Sequence, residues 1–167
     1  MNRNIQRLAA ILPGVVYVFL SACTMTPRAS GDAGAVLTAA ERAEGWRVLF
    51  DGRSLDAWRG YRKPALPDGW QAIDGSLVLA AAGAGDIITR ERFRNFDLRL
   101  EWKVAPGGNS GIFYRASEEG DYIWQSASEM QVLDDERHAD GKSQLTSAGS
   151  NFALYPVPRG ASRPAGE

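Results

Sequence analysis

Asn109-Ser110-Gly111-Ile112-Phe113-Tyr114-Arg115 and, after a connecting loop, Ser128-Glu129-Met130-Gln131-Val132-Leu133-Asp134 are the two stretches that decide the fold. In each, apolar residues alternate with hydrogen-bonding or ionisable ones, the period of two that marks a half-buried strand. Side by side, they make a sheet with a packed back and a polar front. The alternation assigns Ile112, Tyr114, Met130 and Val132 to the core, and Arg115, Glu129 and Gln131 to the front. Asp134 follows at the rim.

Outward from this pair the same pattern recurs. Phe96 to Val104 is the clearest strand: Phe96, Leu98, Leu100, Trp102 and Val104 alternate without a fault with Asp97, Arg99, Glu101 and Lys103. Pro106-Gly107-Gly108 turns the chain from there into Asn109. Trp70–Ile73 and Ser76–Leu79 flank Asp74-Gly75, the dipeptide of a type I′ hairpin turn. Trp46–Phe50 and Asp86–Thr89 read as strands, Tyr122–Trp124 as a short strand or lip, and Asn151–Tyr155 as a last strand. Leu55 and Trp58 read as loop. Thr38 with Glu41 forms a capping box ahead of one or two helical turns stopped by Gly45. Short strands, hairpin turns and almost no helix predict an antiparallel all-β sandwich of jelly-roll type. Seven to eight strands in residues 45–167 are few for two full sheets, so the domain is expected to continue beyond Glu167.

A net charge of −1 and the absence of any basic block argue against nucleic acid as a partner. The 44% hydrophobic and 23% charged residues are those of a globular domain. Residues 1–22 read as a leader. Arg3 and Arg7 precede an apolar run from Leu8 to Phe19, too short to span a bilayer comfortably, and Leu20-Ser21-Ala22-Cys23 has the form of a bacterial lipobox. Cys23, the chain's single cysteine, is thereby the expected site of lipidation, and it excludes both a disulfide framework and a cysteine zinc site. Removing residues 1–22 takes two arginines and no acid, leaving 17 basic and 20 acidic residues and a net charge of −3. Residues 23–44 are expected to be a tether and short helix between a lipid anchor in the cell envelope and the domain.

The sequence blocks resemble a known family. Gly45-Trp46 with Leu49-Phe50-Asp51-Gly52, Leu55 and Trp58 is similar to the opening of the 3-keto-disaccharide hydrolase-like domain. Trp70 with Asp74-Gly75, the Phe96 strand, Asn109-Ser110-Gly111-Ile112 with Arg115, Glu129-Gln131-Leu133-Asp134 and the final Arg163-Pro164-Ala165-Gly166-Glu167 resemble its later blocks, in order. The resemblance covers residues 45–167. It implies a concanavalin A-like sandwich and action on sugars whose 3-hydroxyl has become a ketone. A 3-ketone acidifies the C2 hydrogen, so a base removes it and the C1 oxygen leaves by β-elimination. Such chemistry needs a base, a donor for the oxyanion and an acid for the leaving oxygen.

On that basis Glu129 is expected as base or acid, Arg115 as clamp, Gln131 as orienter, and Asp134 or His138 as second proton carrier. Asn109, Trp124 and Tyr114 are the expected substrate contacts, Trp124 by stacking on a sugar ring. The set works without a cofactor. A divalent metal among Asp134, Asp135, His138 and Asp140 is the weaker reading, since their spacing is not that of a calcium loop. The competing function is a non-catalytic, lectin-like carbohydrate-binding module.

Overall fold

The computed structural model describes residues 6–10, as backbone only, and residues 35–167. Cys23, with the cleavage and lipidation expected there, lies outside the described residues. The chain divides into two compact units, residues 1–101 and 102–167, and the division falls inside the single domain expected over 45–167.

Among the described residues, the first unit contains seven strands. They are β1 (Gln6–Ala10), β2 (Trp46–Phe50), β3 (Trp58–Gly60), β4 (Trp70–Ile73), β5 (Ser76–Leu79), β6 (Ile87–Thr89) and β7 (Phe96–Leu100). A short helix, α1 (Ala39–Ala43), begins with the expected capping box. Thr38 Oγ1 accepts from the Glu41 N–H at 3.2 Å, and the Thr38 N–H donates to Glu41 Oε2 at 2.7 Å. Gly45, at φ +87°, ends the turn.

The β4–β5 hairpin carries positive φ at both Asp74 (+48°) and Gly75 (+74°), as a type I′ turn requires. β3 pairs antiparallel with β6, although its Trp-Arg-Gly sequence has no alternation and reads as loop; the pairing is supplied by a distant partner. β1 lies between β2 and β7, parallel to both, where the sequence places the start of a leader. β7 ends at Leu100, short of the alternation that runs on to Val104; along it, Gln6 faces Phe96 and Ala10 faces Leu100. Phe50 and Trp46 are buried, and the Arg99 guanidinium lies 4.0 Å from the Trp46 ring.

In the second unit, β8 (Asn109–Tyr114) and β9 (Ser128–Leu133) form an antiparallel pair. The 3-10 turn Ile123–Gln125 replaces the expected strand at Tyr122–Trp124. Asn151–Tyr155 is a turn rather than a strand: Asn151 bridges Met130 on one side and Tyr155 on the other, and Ala153 has φ +59°. No described helix is long and apolar enough to cross a membrane.

The open end of the β8–β9 pair is closed by Asp134. Its backbone N–H donates to Gly108 O at 3.0 Å. Its carboxylate accepts from the Gly107 N–H at 2.6 Å, the Glu136 N–H at 3.1 Å and the Arg137 guanidinium at 3.1 Å. The Gly107 N–H, then the Arg137 and Glu136 donors, outweigh burial and hold this carboxyl below its ordinary value. A depressed folded-state pKa contributes stability that is complete above the unfolded-state value, near 4, and is lost as pH falls through the folded one. Asp134→Asn is therefore expected to lower the urea midpoint at pH 7. The gap from the parent protein should shrink as the buffer is taken below about pH 4, which urea melts at both pH values would test.

Candidate active site

Cross-strand partners in an antiparallel pair point to the same face. The register Asn109↔Leu133, Gly111↔Gln131 and Phe113↔Glu129 gathers Asn109, Gly111, Phe113, Glu129, Gln131 and Leu133 on one face. Ser110, Ile112, Tyr114, Ser128, Met130 and Val132 take the other. Glu129 and Gln131 thus share a face opposite Met130 and Val132, as their alternation requires.

Glu129 occupies a particular seat on that face. A Cβ built on Gly111 would meet Glu129 Oε1 at 2.0 Å, Cδ at 2.7 Å and Cγ at 2.9 Å. The carboxylate therefore folds diagonally across Gly111, into space that any other residue would fill. Only glycine accommodates it without displacement. This pairing escapes a reading of the sequence, which places Gly111 in a strand but not against the Glu129 carboxylate.

Further along the same face the Asn109 side-chain amide lies 3.5 Å from His138 Nε2. His138 Nδ1 accepts from the Asp140 N–H at 3.2 Å, and the Asp140 carboxylate stands 3.6 Å from the same nitrogen. An accepting nitrogen carries no proton, so the neutral ring holds its proton on Nε2. The atom set against Nε2 is Asn109 Nδ2; with the amide turned over, its oxygen would accept from that N–H. Two residues of strand separate Gly111 from Asn109, about 7 Å. A carboxylate and an imidazole N–H thus stand along one face, the pair of groups that moves a proton off one atom and onto another.

Other expected site residues fall elsewhere. Gln131, expected on an open front, is buried, 1% exposed, with Oε1 accepting from the Val132 N–H at 3.1 Å. Both faces of β9 are covered there, since Val132, Leu133 and Asp134 are buried too. Asp134 is not free to carry protons: its oxygens are taken by the turn it closes. Arg115 does not continue the alternation of β8, because it lies past the strand at φ +60°, exposed at the end of the pair where Glu129 stands. Tyr114 faces away from Glu129 and Gln131, by register, so it is not a contact for a ligand held by that carboxylate. Trp124 is 61% exposed and lies on the loop between β8 and β9.

The acids near His138 are spent in separate bonds. Asp135 Oδ1 accepts from the Ala148 N–H at 2.8 Å, and Asp134 is engaged as above. Among the described residues, no three His, Cys, Asp or Glu side chains are grouped to hold a metal. Two buried oxygens, Ser150 Oγ and Asn151 Oδ1, have no hydrogen-bond partner among the described residues. Nothing in the polar sequence at Ser150-Asn151 signals that burial.

Residues 45–167 match the 3-keto-alpha-glucoside-1,2-lyase-like domain. The chain belongs to this family. Within that match lie Asn109, Gly111, Arg115, Glu129 and His138; Cys23 lies outside it. A 3-keto-disaccharide hydrolase of Bacteroides thetaiotaomicron is 39% identical over 147 residues, covering 75% of this chain and 50% of that protein. The chain thus spans about half the length of that relative. The crystal structure of a candidate glycosyl hydrolase from Parabacteroides distasonis, 29% identical, superposes with a TM-score of 0.66 over 79% of this chain and 64% of that one. With the strand-dominated architecture, this likeness makes the fold that of an all-β sandwich.

The seat of Glu129 is open to test. The atoms in the way of a Cβ at Gly111 belong to the end of a flexible side chain, so rotation relieves the clash without unfolding. Gly111→Ala is expected to change stability by less than about 1 kcal/mol while moving the Glu129 carboxylate by about 1 Å or more. A crystal structure and a urea melt of the variant would show both. Glu129→Ala should remove the coupling between the two positions in a double-mutant cycle.

Proposed function

We propose that this protein cleaves 3-keto-glycosides at the glycosidic bond, with Glu129 as the general base. The observation that carries this is the Glu129 carboxylate seated over Gly111, on the face that also holds the Asn109–His138 pair. The family and the named activity of the Bacteroides thetaiotaomicron relative supply the substrate class.

In this reading Glu129 removes the hydrogen from C2, and the electron pair of that bond moves toward the C3 carbonyl. The negative charge grows on the ketone oxygen. Arg115, exposed one residue past the Tyr114–Ser128 pair, is the cation assigned to meet it. As the enediolate collapses, the C1–oxygen bond breaks, and His138, first protonated from solvent to the imidazolium, gives its Nε2 proton to the departing oxygen and returns to the neutral ring. Water then adds to the enone, its oxygen to C1 and a proton to C2, so the net result is hydrolysis. Release of the enone before water adds would make the same site a lyase. Asn109 positions the imidazole rather than touching the reacting atoms.

Glu129→Gln keeps the shape and removes the base, and should lower turnover of a 3-keto-glucoside by about 100-fold or more. His138→Ala should slow substrates with an alkoxide leaving group much more than those releasing nitrophenolate, which departs without an acid. Aglycone release by the purified variants measures both. Full activity in Glu129→Gln would remove the assignment.

A second reading, a lectin-like module without chemistry, is favoured by the exposed aromatic pair on the β8–β9 loop. It predicts retained sugar binding and no release from any 3-keto-glycoside.

We further infer a lipid-anchored location in the bacterial cell envelope, supported by Leu20-Ser21-Ala22-Cys23 after a short apolar run. Processing at Cys23 removes Gln6–Ala10 with the leader, so β1 belongs to the precursor. Radiolabelled palmitate should be incorporated by the parent chain in a bacterial host and not by Cys23→Ser.

A further inference from the structure

The loop from Ser117 to Ser126 is built more firmly than a simple connection. Ser126 Oγ accepts from the Ser117 N–H at 3.0 Å and donates to Ser117 O at 3.1 Å, closing the base of the loop. Gln125 Oε1 accepts from the Tyr122 N–H at 3.1 Å. A Cβ at Gly120 would meet that same oxygen at 2.5 Å, so glycine there makes room for the lock. Ile123, 3% exposed, is the buried anchor. On either side of it, Tyr122 and Trp124 remain 58% and 61% exposed. Their rings stack on one another with centroids 5.7 Å apart and planes within 15°.

No packing among the described residues accounts for two large exposed rings on a locked backbone. Stacking orders each ring before any ligand arrives, which lowers the entropy lost on binding. The rings carry no charge, and the only polar groups they present are at their edges. They suit a flat ring with an apolar face, such as the C–H face of a pyranose or an arene.

The loop is rooted at Glu129. It leaves β8 after Tyr114 and enters β9 at Ser128, one residue before the base, so Trp124 stands five residues from it. At full extension that is at most about 17 Å of chain.

We infer that Tyr122 and Trp124 form a preorganised platform for the ring of the departing group, a second subsite beside the carboxylate. This rests on the cleavage reading above, and it adds selectivity among leaving groups. Substrates whose aglycone carries a ring, whether a sugar or an aryl group, are held by the platform; a methyl aglycone is not.

The test compares kcat/KM for a 3-keto-disaccharide, an aryl 3-keto-glucoside and a methyl 3-keto-glucoside, using the parent protein and Trp124→Ala. The ratio of each ring-bearing substrate to the methyl glycoside should fall about tenfold in Trp124→Ala and recover largely in Trp124→Phe, which restores a flat face. A fall for only one of the two identifies the ring the platform takes. An unchanged ratio, even with all rates lowered together, overturns the platform.

A second measurement separates the platform from the chemistry. In protein labelled with 5-fluorotryptophan, the Trp124 fluorine signal, assigned by its loss in Trp124→Phe, should shift on titration with the 3-keto-disaccharide. A shift without turnover of any substrate would keep the platform and remove the cleavage reading. No shift on titration would remove the platform, whatever the turnover.

Discussion

The register of β8 against β9 is the constraint on which the site depends. Six cross-strand pairs, from Asn109↔Leu133 to Tyr114↔Ser128, decide which side chains share a face. Because side chains alternate, a slip of one residue would turn Glu129 away and bring Ser128 and Met130 in its place. The clasp at Asp134 holds that register from the open end, where one carboxylate ties the Gly107 turn, the Glu136 backbone and Arg137 together. The loop lock at Ser117 and Ser126 holds it from the other end.

Gly111 then fixes where the Glu129 carboxylate lies. In a strand, glycine ordinarily weakens pairing and offers nothing to pack. Here its missing side chain is the space that the Glu129 carboxylate occupies. The surrounding polarity is uneven. Gln131 and Ser150 are buried, and Ser150 Oγ has no described partner, which is the kind of unrelieved polar burial that packing alone would not retain. Glu129 itself is half-buried rather than standing in water.

Local features were legible wherever local chemistry decides structure. Asp74-Gly75 declared its hairpin because few residues accept positive φ twice in succession. Thr38 and Glu41 declared a cap because both bonds lie within one turn. Features set by distant partners were not legible. β3 exists because β6 lies beside it, and β7 ends at Leu100 although its alternation runs on to Val104. Arg115 illustrates the same limit at the site: alternation put it beside Phe113, but the backbone turns into the left-handed region there and ends the rule.

The sequence by itself determined the strand-rich class, the two paired strands that carry the candidate site, and the sharing of one face by Glu129 and Gln131. All of these follow from a period of two and from turn residues, which act over a few positions. Only the tertiary structure decided that Gln131 is buried, that Asp134 is a clasp, and that Glu129 lies over Gly111. It also decided that His138 meets Asn109, and that Tyr122 and Trp124 stack in the open. Each of these depends on which chain segments lie side by side, a matter of long-range packing that no local periodicity encodes.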